Sequence, residues 1–275
     1  MSEASDALAR IAAALERLAP PAPPATDWTA HPAYVWDHAG VRAVARIEAP
    51  PLALLRGIEA QKQAVVGNVA RLAQGDAAHD MLLWGARGMG KSALLRSAVA
   101  AAQDERPGAL ALVQAAPDAV ASLPALFASL RAIERRFLVF LDDLGFESGD
   151  AVAARHMRSW LEGGVEARPR NVRLAVTSNR RAIVERNASE QDDPLNPRDA
   201  VDDKLALADR FGLSVGFHAC SQDDYLAIVG GYAEAHGLGW TPGEALEWAR
   251  RRGARSGRVA WQFVTELAGR AGKSL

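Results

Sequence analysis

Residues 85–92 read Gly-Ala-Arg-Gly-Met-Gly-Lys-Ser and fit the pattern G-x-x-x-x-G-K-[ST] at every fixed position. Glycines at these points admit backbone conformations that turn successive N–H groups inward onto a phosphate chain. Lys91 supplies a cation for the β- and γ-phosphates, and the Ser92 hydroxyl is a hard oxygen ligand for Mg²⁺. An apolar run, 81–84, precedes the loop and a helix-forming run, 92–102, follows it. The start of that helix adds its partial positive charge to the same point. The expected binding residues are Gly85, Ala86, Arg87, Gly88, Met89, Gly90, Lys91, Ser92 and Ala93, with ATP and Mg²⁺ as the ligands.

A second run, Phe137-Leu138-Val139-Phe140-Leu141, ends in Asp142-Asp143. An apolar strand that delivers a carboxylate to the sheet edge beside a phosphate loop is the Walker B arrangement, with Asp142 expected on Mg²⁺. Asp143 stands where many such ATPases carry the glutamate that polarises the attacking water. It is one methylene shorter, which predicts slow hydrolysis. The competing reading of the two aspartates is a capping pair for the next helix.

Three further polar positions follow in chain order. Thr177-Ser178-Asn179 ends a third strand, and Asn179 can bind a γ-phosphate or orient water; the same tripeptide is also turn chemistry. Arg210, in Asp209-Arg210-Phe211-Gly212, either completes a neighbouring subunit's site as an arginine finger or pairs with Asp209 in its own chain. Arg258 opens the last helix, where it either points at the γ-phosphate or is a surface charge; Arg255 is a weaker candidate for the same role.

The elements that must position these groups alternate. Strands are predicted at 81–84, 109–114, 137–141, 172–177 and 213–217, and helices at 58–74, 92–102, 123–133 and 151–161. Strands alternating with helices pair in parallel through right-handed crossovers. After Ser221 three helices, 222–235, 242–252 and 258–270, carry the chain on with no strand signal. The fold class is therefore α/β, a P-loop NTPase three-layer core with a parallel sheet, followed by a small all-helical lid. The expected organisation is an N-terminal amphipathic helix and Pro-rich linker over 1–24, an irregular extension over 25–55, the nucleotide-binding core over 56–219 and the lid over 220–275. Leu8, Ile11, Leu15 and Leu18 form the stripe of the first helix, 6–18, which serves self-association or packs on its own domain. Trp28, Tyr34 and Trp36 are the expected anchors of the extension.

Composition is ordinary for a globular chain, with 49% hydrophobic and 24% charged residues. One cysteine, Cys220, excludes an intrachain disulfide and a zinc cluster, and reads as a small apolar residue. No run approaches the roughly 20 apolar residues that cross a bilayer, and the acidic Met1–Arg10 stretch lacks a signal-peptide pattern, so the expectation is a cytoplasmic protein. Net charge is −1, but it is unevenly spread. Residues 249–275 hold seven cationic side chains against Glu266 alone, and 187–209 hold seven acidic ones against Arg198 and Lys204. The basic end is either a contact for an anionic partner, nucleic acid included, or a solvated face.

The order of these motifs resembles the AAA+ superfamily. Tyr34-Val35-Trp36, Leu83-Trp84-Gly85-Ala86-Arg87-Gly88, Asp142-Asp143-Leu144, the 161–169 run, Thr177-Ser178-Asn179-Arg180-Arg181, the 204–213 run and Ser256-Gly257-Arg258 narrow the resemblance to a bacterial AAA+ family known as domain of unknown function 815. The resemblance spans about 33–268 and implies a five-stranded AAA+ core, a helical lid and ATP binding. Met89 departs from it, standing where Thr or a small residue is usual. The function expected is an ATP-hydrolysing factor that remodels or loads a macromolecular partner, as a homo-oligomer joined through Arg210. The alternative is a nucleotide-controlled switch with little turnover. A nucleotide kinase fits less well, since no acceptor-binding motif is evident.

Overall fold

Apolar residues at consecutive strand positions need cover on both faces of a sheet, and the chain provides it. The computed structural model describes residues 5–8, 10–11, 26–144, 161, 168–179 and 210–275. Seven strands form one sheet: β1 (Ala33–Asp37), β2 (Gly40–Val44), β3 (Met81–Gly85), β4 (Leu110–Ala115), β5 (Arg136–Leu141), β6 (Val172–Ser178) and β7 (Leu213–Phe217). Their order is β2-β1-β4-β5-β6-β3-β7, parallel throughout except for the antiparallel β1–β2 pair. Side chains alternate between the faces. Met81, Leu83, Leu138, Phe140 and Phe217 enter one buried cluster with helices α1 (Glu59–Gln74) and α2 (Lys91–Glu105). Leu82, Phe137, Val139, Leu174 and Val176 enter the other with α3 (Leu123–Leu130). This is the expected three-layer α/β core.

Residues 26–55, expected to be irregular, instead carry the β1–β2 hairpin, which extends the parallel sheet beyond β4. The hairpin turns at His38-Ala39, with Gly40 at φ +122°. Only β1 is well covered, so its partner strand shows little hydrophobic alternation and gives a weak strand signal. The anchors hold as read: Trp28 is 4% and Tyr34 1% exposed, with ring centroids 4.8 Å apart, and Trp36 Nε1 donates to Ser122 Oγ at 2.8 Å. Helix α3 stops at Leu130 rather than 133, because a turn closes there through Ile133 N–H to Leu130 O.

Three helices follow β7: α4 (Gln222–Ala235), α5 (Pro242–Arg252) and α6 (Gly257–Arg270). Each begins on a side-chain cap, at Ser221, Thr241 and Ser256, that satisfies an otherwise orphaned N–H. Tyr225, Ile228, Phe263 and Val264 from these helices share the first buried cluster with Leu55 and Ile58, which seats the helices against the core. Residues 5–8 and 10–11 are helical, with Leu8 and Ile11 exposed. The rest of the expected 6–18 helix, the 151–160 part of the expected 151–161 helix, most of the 161–169 run and the acidic 187–209 stretch lie outside the described residues. No helix among the described residues is long and apolar enough to cross a membrane.

Candidate functional site

Parallel pairing brings the C-terminal ends of β3, β5 and β6 to one edge of the sheet, and the polar residues that follow them meet there. Leu141 pairs with Val176, so Asp142 and Thr177, the next residues, lie side by side. Ser92, at the start of α2, donates through Oγ to Asp142 Oδ1 at 2.6 Å. Thr177 Oγ1 donates to the same oxygen at 2.6 Å and accepts from the Asp143 N–H at 2.8 Å. Thr177, 1% exposed, thus fixes both aspartates, a role that sequence reading assigned to no residue. The signal that could have found it is the register of β6 on β5.

Lys91 is buried, and its ammonium donates to Gly85 O and Ala86 O, both at 2.9 Å, and to Asn179 Oδ1 at 3.0 Å. Burial pulls the Lys91 pKa below its ordinary value, opposed by the charges of Asp143 and Asp142. A cation kept in a partly dry site interacts strongly with phosphate. Asn179 Nδ2 donates to Asp143 Oδ1, and Arg87 forms an ion pair with Asp143 Oδ2 at 3.7 Å. Both partners of that pair are more than half exposed, so it is worth no more than about 1 kcal/mol. Asp143 has φ 53°, the only non-glycine in the left-handed region among the described residues. That conformation costs an L-residue roughly 1–2 kcal/mol, least for Asp and Asn, and backbone strain of this kind collects at functional sites.

The loop itself depends on two close approaches. Gly85 has φ +115°, and a Cβ there would stand 2.1 Å from Phe217 O, the acceptor for the Ala86 N–H. Gly88 has φ +75°, and a Cβ there would stand 2.9 Å from Ser256 Oγ. The Arg258 N–H donates to Gly88 O at 3.1 Å, so the start of α6 rests on the tip of the loop. Gly85→Ala is therefore expected to destabilise the fold by on the order of 1–3 kcal/mol from backbone conformation alone, with the Phe217 overlap added. Thermal unfolding followed by circular dichroism should show a Tm lower by several degrees; an unchanged Tm would contradict the close packing of β3 on β7.

These groups line a cleft of about 340 Å³ between the sheet and the C-terminal helices. Arg87, Gly88, Met89, Gly90, Lys91, Ser92, Ala93, Asp142, Asp143, Asn179 and Arg258 all line it. Gly85 and Ala86 contribute carbonyls from behind the loop. The other end of the cleft is apolar, formed by Leu54, Leu55, Ile58, Ile228, Tyr232 and Trp261. Sequence reading missed this wall because its residues come from three distant segments. Arg255 lies beside a different hollow, with Ala86, Cys220 and Arg250. Cys220 is buried and its pKa is raised to about 11, chiefly by burial, which fits an inert thiol. Arg210 stands just before β7; Leu213 pairs with Met81, the first residue of β3, so Arg210 lies at the end of the sheet opposite Lys91.

The Ser92 hydroxyl and Asp142 carboxylate, already sharing a hydrogen bond, are the oxygen donors that Mg²⁺ prefers. No group of three or more His, Cys, Asp or Glu side chains able to hold a metal by themselves occurs among the described residues. The set fits a metal that is completed by phosphate oxygens and water.

Solved structures share this architecture. Aeropyrum pernix ORC1 in complex with DNA aligns at TM-score 0.54 and 17% identity, over 78% of this chain and 61% of that one. A Thermotoga maritima RuvB variant aligns at 0.51 and 15%, over 81% and 66%. The FIGL-1 AAA domain in complex with ADP aligns at 0.50 and 18%, over 82% and 75%. The chain thus spans just under two thirds of the RuvB and ORC1 chains it resembles. At these identities the likeness is one of fold, that of the AAA+ P-loop NTPases. No curated protein matches. Residues 29–271 match the family described as "Protein of unknown function (DUF815)". With nearly its whole length covered by that match and its fold of AAA+ type, the chain belongs to the DUF815 family.

Proposed function

We propose that the chain is a Mg²⁺-dependent AAA+ ATPase that uses ATP to remodel or load a macromolecular partner. The observation that carries this reading is the meeting of Lys91, Ser92, Asp142, Asp143, Thr177, Asn179 and Arg258 at one cleft. Lys91 exchanges the Gly85 and Ala86 carbonyls for β- and γ-phosphate oxygens, and the loop amides close on the same phosphates. The base lies on the apolar wall of Leu55, Ile58, Ile228 and Tyr232. Ser92 and Asp142 would hold Mg²⁺, which neutralises phosphate charge when bound. Asp143 and Asn179 orient the attacking water, and Arg258 brings a cation to the γ-phosphate as α4–α6 act as the lid. Arg210, remote from its own cleft, serves a neighbouring subunit in a homo-oligomer. The basic stretch in α5 and α6 offers a face to nucleic acid. The setting is cytoplasmic.

Asp142→Asn tests the metal assignment. It is expected to weaken Mg·ATP binding by a tenfold or larger factor, roughly the value of one charge-assisted contact, while Mg-free ADP binding changes little. Calorimetric titration of both ligands checks this. Equal losses would make Asp142 a structural residue that orders Ser92 and Thr177.

A second reading, a nucleotide-controlled switch with little turnover, is favoured by the way Asp143 is held. Its carboxylate is engaged by both Asn179 and Arg87, contacts that compete with its action on water. Steady-state hydrolysis separates the readings, since the switch binds ATP but releases no phosphate.

A further inference from the structure

Helix α2 is largely a core element. Leu94, Leu95, Ser97, Ala98 and Val99 are all buried, and the Ser97 hydroxyl donates to Pro50 O at 2.6 Å. Arg96 stands in the middle of this run and is itself half-buried. An arginine in such a place is ordinarily matched by a carboxylate. This one is not. Its Nε is buried with no hydrogen-bond partner, and no carboxylate among the described residues pairs with its guanidinium. A buried donor left unsatisfied is a cost to the folded chain, and an unmatched charge adds to it.

Arg96 lines the cleft that also holds Lys91, Ser92 and Asp142. Helix geometry explains how a residue inside α2 comes to do so. Ser92 and Ala93 precede it by four and three positions, so the three share one face. Helical side chains lean toward the N-terminus of their helix, and α2 begins at the phosphate loop. The Arg96 stem thus runs back toward Ser92 and Ala93. Other cations of the cleft already have partners. Lys91 holds two carbonyls and Asn179, Arg87 faces Asp143, and Arg56 lies 3.5 Å from Glu234.

We infer that Arg96 is a further phosphate-binding residue of the nucleotide cleft, its guanidinium taking oxygens of the phosphate chain on the Ser92–Ala93 side. The inference rests on the nucleotide reading above. A phosphate chain supplies what the fold lacks at this point, charged oxygens with lone pairs enough for two parallel N–H donors. A ribose hydroxyl would satisfy one donor and leave the charge unmatched. In the empty chain the guanidinium is a liability. With nucleotide bound it becomes an attraction, strengthened by its partly dry surroundings. Arg96 thus trades stability of the empty chain for affinity, the exchange often found at functional sites.

The test joins calorimetric titration of the full chain with ATP, ADP and AMP to thermal unfolding of the nucleotide-free chain. Arg96→Met keeps an unbranched stem and removes the charge and the fork. It is expected to weaken ATP binding roughly tenfold or more, about one charged hydrogen bond's worth. Its Tm without nucleotide should be unchanged or higher, because a buried unmatched donor has gone. Arg96→Lys should lose less affinity, since it keeps the charge. A loss confined to ATP places the contact on the γ-phosphate, one shared with ADP on the β-phosphate, and one shared with AMP on the α-phosphate. Unaltered ATP affinity in Arg96→Met, a loss as large in Arg96→Lys, or a Tm several degrees lower without nucleotide would make Arg96 a packing residue and overturn the inference. Failure of the unaltered chain to bind ATP would remove the nucleotide reading itself, and this inference with it.

Discussion

Lys91→Ala is expected to abolish measurable nucleotide binding while leaving the fold intact. The ammonium reaches two loop carbonyls and Asn179 from a buried position, within the field of Asp142 and Asp143. Without it, a triphosphate would enter a cleft whose nearest charges include two carboxylates. The loss of one charge-assisted cluster, worth roughly 1.5–3 kcal/mol per hydrogen bond, is then compounded by unscreened repulsion. Calorimetry with ATP and ADP, alongside circular dichroism to verify folding, checks the outcome. Affinity close to that of the unaltered chain would remove the phosphate-loop assignment.

Arg210→Ala is expected to leave ATP binding by an isolated subunit unchanged and to suppress hydrolysis in the assembled form. The register of β7 on β3 puts Arg210 at the far end of the sheet from its own P-loop. From there it does not reach its own P-loop, and the choice is between a neighbour's site and a pairing within its own chain. An arginine supplied in trans to phosphoryl transfer is worth roughly 10³–10⁵ in rate in well-studied GTPases, so even a small share of that is measurable. Mixing Arg210→Ala with Lys91→Ala subunits should restore some activity, since each variant retains the half that the other lacks. Wild-type activity in Arg210→Ala alone, or no recovery in mixtures that demonstrably co-assemble, would return Arg210 to an intrachain role and favour the monomeric switch.

Much of this was legible in the sequence, for identifiable reasons. Strands buried on both faces have little choice of composition, so 137–141 and 172–177 announce themselves, and the observed strands match them to within a residue. The phosphate loop is legible because a backbone at φ +115° pressed on Phe217 O tolerates only glycine. The β1–β2 hairpin was not, because half its surface is solvated and Arg42 and Ala43 are exposed. Thr177 was hidden for a different reason. Its role comes from lying beside Asp142 in the sheet, and pairing between β5 and β6 is a long-range fact that no local pattern carries. The apolar wall of the nucleotide cleft is likewise assembled from distant segments.

The central claim is that one cleft binds and turns over Mg·ATP. Release of inorganic phosphate from ATP by the assembled wild-type chain, with and without Mg²⁺ and with Lys91→Ala as the blank, tests it most directly. The account predicts slow, Mg²⁺-dependent release that Lys91→Ala abolishes. Release that persists in Lys91→Ala, or that needs no Mg²⁺, would contradict it.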